Sequence, residues 1–208
     1  MYVPAHFAAP SEAAVHELLS RPAASDLVTW DGRQMVATTL PLLFDPDAGA
    51  LLGHVARNNT QWQHTAAEAL VIVRGPDAYV TPSAYATKHE HGRVVPTWNY
   101  ITAHVYGTLV AHDDPAWTET LVRRLTTLHE SARPSPWSVD DAPRPFIEGQ
   151  LRAIVGVEIA ITRIEAKWKL SQNRSPADIA GVRASLATGT APERQVAAAM
   201  SDTPHPPA

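Results

Sequence analysis

No cysteine occurs among the 208 residues, which excludes disulfides, zinc–thiolate sites and a cysteine nucleophile and agrees with a reducing compartment. Basic residues do not predominate: 17 Lys and Arg stand against 21 Asp and Glu, a net charge of −4 with ten neutral histidines. The chain as a whole offers no attraction for nucleic acid or anionic lipid, and it shows no basic stripe and no helix-turn-helix pattern, which speaks against direct DNA binding. No apolar run approaches membrane-spanning length, and Met1-Tyr2-Val3-Pro4-Ala5-His6-Phe7 lacks a basic-then-apolar leader pattern. A cytoplasmic location with no membrane partner is the expectation. Neither a P-loop nor a glycine-rich dinucleotide fingerprint is present, so NAD(P)H, if used, would visit rather than occupy a Rossmann domain.

What is present is the composition of a globular protein: 45% hydrophobic residues, six Trp and 18% charged residues. The length suits one domain, expected over residues 1–187 and including a C-terminal helix. Residues 188–208 are expected to form a poorly ordered or partly helical tail, unstructured from Thr203 to Ala208, where proline is dense.

Strand patterns dominate the first two thirds. Leu27-Val28-Thr29-Trp30, Asp31-Gly32 and Gln34-Met35-Val36-Ala37 predict a hairpin with a type I′ turn. Pro41 predicts an edge, bulge or break in the strand that follows. Leu51 to Val55, Leu70 to Val73, Ala78 to Val80 and Trp98 to Val110 read as further strands, with Gly75-Pro76 flanking the short apolar run. Ser11 caps an expected short helix, and Asp114-Pro115 opens another whose Trp117, Leu121, Leu125 and Leu128 share one face. A further helix is expected within Pro145 to Ala153. In the last strand Val155, Val157, Ile159 and Ile161 hold odd positions, then Ile164, Ala166, Trp168 and Leu170 even ones, so a β-bulge is expected near Thr162-Arg163. Ser175-Pro176 then starts a helix. About six to eight strands joined by short turns indicate an antiparallel barrel of α+β type, dominated by β, with peripheral helices.

Three polar clusters could carry chemistry. Lys169-Leu170-Ser171-Gln172-Asn173-Arg174 and Gly53-His54-Val55-Ala56-Arg57-Asn58-Asn59-Thr60-Gln61-Trp62 each leave a strand rich in donors and free of carboxylates. Two such clusters suggest one phosphate-bearing ligand, though each alone also reads as a solvated loop. In Val95-Pro96-Thr97-Trp98-Asn99-Tyr100 aromatics flank an amide able to read a heterocycle edge, or they simply belong to the core. His89-Glu90-His91 has no HExxH spacing and reads as a solvated loop, so no metal is expected.

These segments, with Met1-Tyr2-Val3-Pro4, Ala37-Thr38-Thr39-Leu40-Pro41-Leu42, Gly75-Pro76-Asp77-Ala78-Tyr79-Val80, His104-Val105-Tyr106-Gly107 and Ile154-Val155-Gly156, resemble the PaiB family of FMN-binding split-barrel proteins, often labelled negative transcriptional regulators. The resemblance runs over nearly the whole chain. It implies a six-stranded antiparallel split β-barrel that forms a homodimer, with FMN in a cleft at the dimer interface. On that analogy Thr38, Thr39 and Leu40 face the isoalloxazine, His54, Arg57 and Asn59 approach the ribityl phosphate, and Gln61 belongs to the same loop. Trp98 and Asn99 line the site, while Lys169, Gln172 and Arg174 reach the phosphate or the partner's flavin. Thr60 stands where the family usually has Pro, and Ala84 where it often has Trp; these departures bear on the phosphate loop and on the width of the cleft. Implied functions are NAD(P)H-linked redox chemistry on a small molecule, or regulation without catalysis. Haem binding or degradation, known in other split barrels, would draw on the histidines, but no axial ligand is identifiable.

Overall fold

The computed structural model describes residues 1–202; the expected unstructured stretch Thr203 to Ala208 lies outside the described residues. The chain divides into two compact units, one of residues 16–73 and 104–164, the other of residues 1–15, 74–103 and those from 165 onward.

The first of these units holds the sheet. Its strands are β1 (Ala24–Trp30), β2 (Met35–Pro41), β3 (Leu43–Asp45), β4 (Ala50–Ala56) and the parts it contains of β5 (Glu68–Val80), β6 (Thr97–His112) and β7 (Ile154–Lys169). The order is β2-β1-β5-β6-β7-β4-β3. Only Leu42 separates β2, which pairs with β1, from β3, which pairs with β4. Counted as one bent strand they give the six expected, and the break falls where Pro41, which has no N–H to donate, interrupts the ladder. The corner is tight: a Cβ on Gly53 of β4 would lie 2.6 Å from the Leu42 side chain and 3.2 Å from Pro41 O.

Two expectations from the sequence need correcting. The β1–β2 hairpin has a four-residue loop rather than a two-residue turn, because Trp30 pairs with Met35. The Asp31 carboxylate accepts the N–H groups of Arg33 and Gln34, both at 2.8 Å, closing the loop locally. Gly75-Pro76 does not end a strand, since β5 continues to Val80. Gly75 is there for close approach: a Cβ would come within 2.8 Å of Ile101.

Helix α3 (Pro115–Glu130), capped by the Asp114 carboxylate, lays Leu121 and Leu125 on Ala50 and Leu52, with Trp117 beside them. Helix α4 (Arg144–Arg152) contributes Ile147 and Leu151 to a second cluster with Val139. Trp117 stacks on His112 at 3.9 Å and 10°, and His112 Nε2 meets Glu158 at 2.8 Å. The indole occupies the space above Gly156. In β7 Val155, Val157 and Ile159 are buried, then Trp168 and, just past its end, Leu170, with Thr162 and Arg163 both exposed between them. That is the shift of phase read from the sequence.

The other unit carries α2 (Lys88–His91), α5 (Pro176–Ala187), α6 (Ala191–Asp202) and the remaining lengths of β5, β6 and β7; α1 (Glu12–Ser20) begins in this unit. Helices α5 and α6 pack together, burying Ile179, Val182, Leu186, Val196 and Met200. Asp178 of α5 is buried and accepts from both the backbone N–H and the hydroxyl of Thr87 at 3.0 Å, fixing the segment that leads into α2. Burial pushes this carboxyl up, but the Thr87 hydrogen bonds and the nearby Arg174 charge outweigh it and hold the pKa below the usual value.

Two outcomes follow. Gly156→Ala would place a Cβ 2.3 Å from the Trp117 ring and should cost about 1–3 kcal/mol of overpacking; adding Trp117→Leu should recover part of the lost melting temperature. Asp178→Asn should cost about 2 kcal/mol near neutral pH. Because the folded-state pKa is depressed, that stability is fully present above the unfolded value of roughly 4 and disappears as pH falls through the folded value. Urea denaturation of both proteins at neutral and acid pH should show the gap closing in acid.

Candidate functional site

In the sheet-bearing unit the end of β4 and the turn after it gather most of the residues singled out from the sequence. Asn59 caps the 3-10 turn Thr60–Gln63, its Oδ1 accepting from Gln61 N at 3.0 Å while its Nδ2 donates to Thr38 Oγ1 at 2.8 Å. Gln61 is 1% exposed. Its Nε2 faces Leu27 O, Thr29 Oγ1 and Val36 O at 3.0–3.2 Å, so this amide holds the β1–β2 hairpin against the turn. Next along β2 the Thr39 hydroxyl donates to Asp26 at 2.6 Å, and Leu40 is buried. The structure thus brings Thr38, Asn59 and Gln61 together in one hydrogen-bonded group.

Arg57 is differently placed. Four of its five N–H groups are engaged, two on the Asp113 carboxylate at 2.7 and 3.0 Å, one on Arg152 O and one on Ile154 O. The fork ties the end of β4 to the end of α4 and the start of β7, and the Asp113 hydrogen bonds raise its already high pKa further. Trp62 Nε1 in turn donates to Arg57 O at 3.0 Å. Asp113 was not visible as Arg57's partner in the sequence, where it reads only as the residue before a helix cap.

His54 is half-buried, and burial lowers its pKa, so the imidazole is neutral at pH 7. Its Nδ1 and Gln61 Oε1 are buried without a hydrogen-bond partner among the described residues. His54 therefore offers a neutral donor or acceptor and no positive charge.

The second unit contains the other named residues. Asn99 is 0% exposed and exchanges hydrogen bonds with the Ser171 hydroxyl at 3.0 and 3.1 Å. Gln172, also buried, accepts from Leu170 N at 2.7 Å and donates to Trp168 O at 2.5 Å. Ser171 between them has φ +69°, a left-handed conformation stabilised by these side-chain bonds. Asn99, Ser171 and Gln172 thus build the turn itself. Lys169, Trp98 and Arg174 point elsewhere: Lys169 Nζ donates to Thr97 Oγ1 at 2.7 Å and to Trp98 O, the Trp98 side chain is largely exposed, and the Arg174 guanidinium lies 5.1 Å from the Tyr85 ring centroid.

Residues 1–163 match the family model described as "Putative FMN-binding domain". The chain belongs to that family. Within the FMN-binding domain family it is 32% identical to the protease synthase and sporulation protein PAI 2 of Bacillus subtilis, over 97% of both chains, which bears out the PaiB resemblance. An uncharacterized Aspergillus fumigatus protein shares 37% identity over 66% of this chain and 60% of its own. Among solved structures, the FAD and heme binding protein of Mycobacterium smegmatis superposes with a TM-score of 0.60 at 17% identity, over 88% of this chain and 80% of that one. A conserved hypothetical protein of Mycobacterium tuberculosis gives 0.57 at 12% identity, over 84% and 94%. At these identities the likeness is one of fold, and it establishes the antiparallel split barrel. No helix among the described residues is long and apolar enough to cross a membrane.

Replacing Gln61 by Met keeps most of the volume and leaves Leu27 O and Val36 O without this amide. The cost should be about 1–3 kcal/mol, read as a lower denaturation midpoint with an unchanged slope in urea.

Proposed function

We propose that this protein binds FMN at the edge strand β2 and the turn after β4, and that the flavin carries redox chemistry on a small molecule with NAD(P)H as a transient reductant. The observation that carries the reading is the Thr38–Asn59–Gln61 group on an edge strand in a member of an FMN-binding family. An edge strand presents alternating N–H and C=O groups on its free side, which suit the alternating acceptors and donor along the pyrimidine edge of an isoalloxazine. The residues present fit the group: the half-buried Thr38 hydroxyl and Asn59 amide retain uncommitted hydrogens, and His54 supplies a neutral ring nitrogen.

In this reading Thr38, Thr39 and Leu40 flank the ring and the 54–61 segment approaches the ribityl chain and phosphate. Arg57 contributes chiefly by fixing that segment, with one N–H left to offer. Asn99 and Gln172 hold the 168–174 turn in shape. The bound flavin supplies hydride and electron transfer; the protein's part is to position it and to shield it from water. A homodimer completes the site, following the arrangement the family resemblance implies. A regulatory role without catalysis is favoured by one observation, the end-to-end similarity to a relative named for protease synthesis and sporulation. With a net charge of −4, such a regulator would act through its ligand or a protein partner rather than on DNA.

Titration of the purified protein with FMN should quench flavin fluorescence saturably, at a stoichiometry matching the dimer mass from light scattering. Asn59→Ala should weaken FMN by roughly tenfold, the loss of about one good hydrogen bond or 1.4 kcal/mol. Full affinity in that variant would remove the 59–61 turn from the site. Oxidation of NADPH or NADH by the loaded protein separates enzyme from regulator: turnover with an acceptor supports the first, and none with any acceptor, beside intact FMN binding, supports the second.

A further inference from the structure

The distribution of ion pairs is uneven. In the sheet-bearing unit Arg57, Arg123, Arg124, Arg133 and Arg144 each lie against a carboxylate at 2.6–3.0 Å. In the other unit Lys167 and Lys169 form no ion pair with a carboxylate among the described residues, although acids outnumber bases in the chain; Arg174 has the buried Asp178 carboxylate as a charged neighbour but makes no direct ion pair with it. Yet Lys167 is the more enclosed kind of cation, only 9% exposed. Its Nζ donates to Tyr2 O at 3.2 Å and faces the rings of Tyr2, Phe7 and Tyr100 at 5.6–5.7 Å. Lys169, two residues on and so on the same face of β7, shares the Tyr100 ring at 5.9 Å and bonds only to the neutral oxygens of Thr97 and Trp98. Burial, reinforced by the charges of Lys167 and Arg174, pushes the Lys169 pKa down. Desolvated positive charge with neutral neighbours is costly unless an anion completes it.

Beside these cations lie apolar rings open to solvent. Trp98, 53% exposed, meets Tyr79, 47% exposed, edge to face at 6.2 Å. We propose that Lys167, Lys169 and Arg174, together with Tyr100, Trp98 and Tyr79, form a binding site for a small ring-bearing organic anion distinct from the flavin. The ammonium groups take its carboxylate or phosphate, and its ring lies on the exposed aromatic faces. The inference names the class of the second reactant, or of the effector, in the reading above. It rests on that reading only for this role and not for binding.

Isothermal titration with benzoate tests it, with benzyl alcohol as the neutral ring and inorganic phosphate as the ringless anion. Saturable benzoate binding is expected, at least tenfold tighter than benzyl alcohol and phosphate. The affinity should fall with added salt and survive saturating FMN. Lys169→Met should weaken benzoate at least tenfold and Lys169→Arg should largely restore it. Should Lys169→Met fail to fold, the wild-type comparison of benzoate with benzyl alcohol decides alone. Absent binding, equal affinity for the two rings, or displacement of benzoate by FMN each overturns the proposal. A wild-type protein that takes up benzoate but no FMN would instead sink the flavin reading and leave the anion site standing.

Discussion

A single buried carboxamide governs the arrangement at the proposed cofactor site. Gln61 reaches from the turn after β4 to backbone and side-chain acceptors of β1 and β2, which are also joined to that turn through the Asn59–Thr38 bond and the Thr29–His64 contact. Amides suit the task because one flat group donates twice in fixed directions, and its burial excludes water from competing. The β1–β2 hairpin and the capped turn hold their mutual register through it. Arg57 does the equivalent work at the opposite side of the turn, where Asp113, Arg152 O and Ile154 O converge on one guanidinium.

Residue types associated with ligand binding thus divide into two kinds. Some hold backbone in place: Gln61, Arg57, Asn99 and Gln172 have their hydrogen bonds directed inward. Others retain unsatisfied capacity: Thr38, Asn59, His54, Lys167 and Lys169. A motif such as Lys-Leu-Ser-Gln-Asn-Arg is distinctive largely because a left-handed serine requires specific side chains around it. Only its first and last residues face outward with charge.

The sequence disclosed strand alternation, helix caps and the β7 phase shift, because each is a local consequence of side-chain geometry. Ser11, Asp114 and Ser175 cap where their spacing implied. It failed at the Asp31 loop, where Asx hydrogen bonding overrode the Asp-Gly turn preference, and at Gly75, where a glycine serving close packing looked like a chain break. Donor clusters were legible as clusters, but not their division of labour. Whether Arg57 meets a ligand or Asp113 depends on a contact between residues 56 positions apart, which no local pattern encodes. Lys167 was legible there too, since it alternates with Ala166 and Trp168 as Lys169 does with Trp168 and Leu170.

The pairing of β4 with β7 sets Ala50 opposite Ala160 and Ala56 opposite Ile154. On a translating ribosome β4 is therefore made long before the strand that covers one of its edges. At ~5–20 residues per second the delay is roughly 5–20 s. Throughout it β3 and β4 can pair with each other and pack on the β2 corner already made, but Leu51 and Val55, buried in the finished protein, lack the neighbouring strand β7. Barrel closure therefore waits on the last strand made, and the β4 edge that β7 pairs with stays open until then.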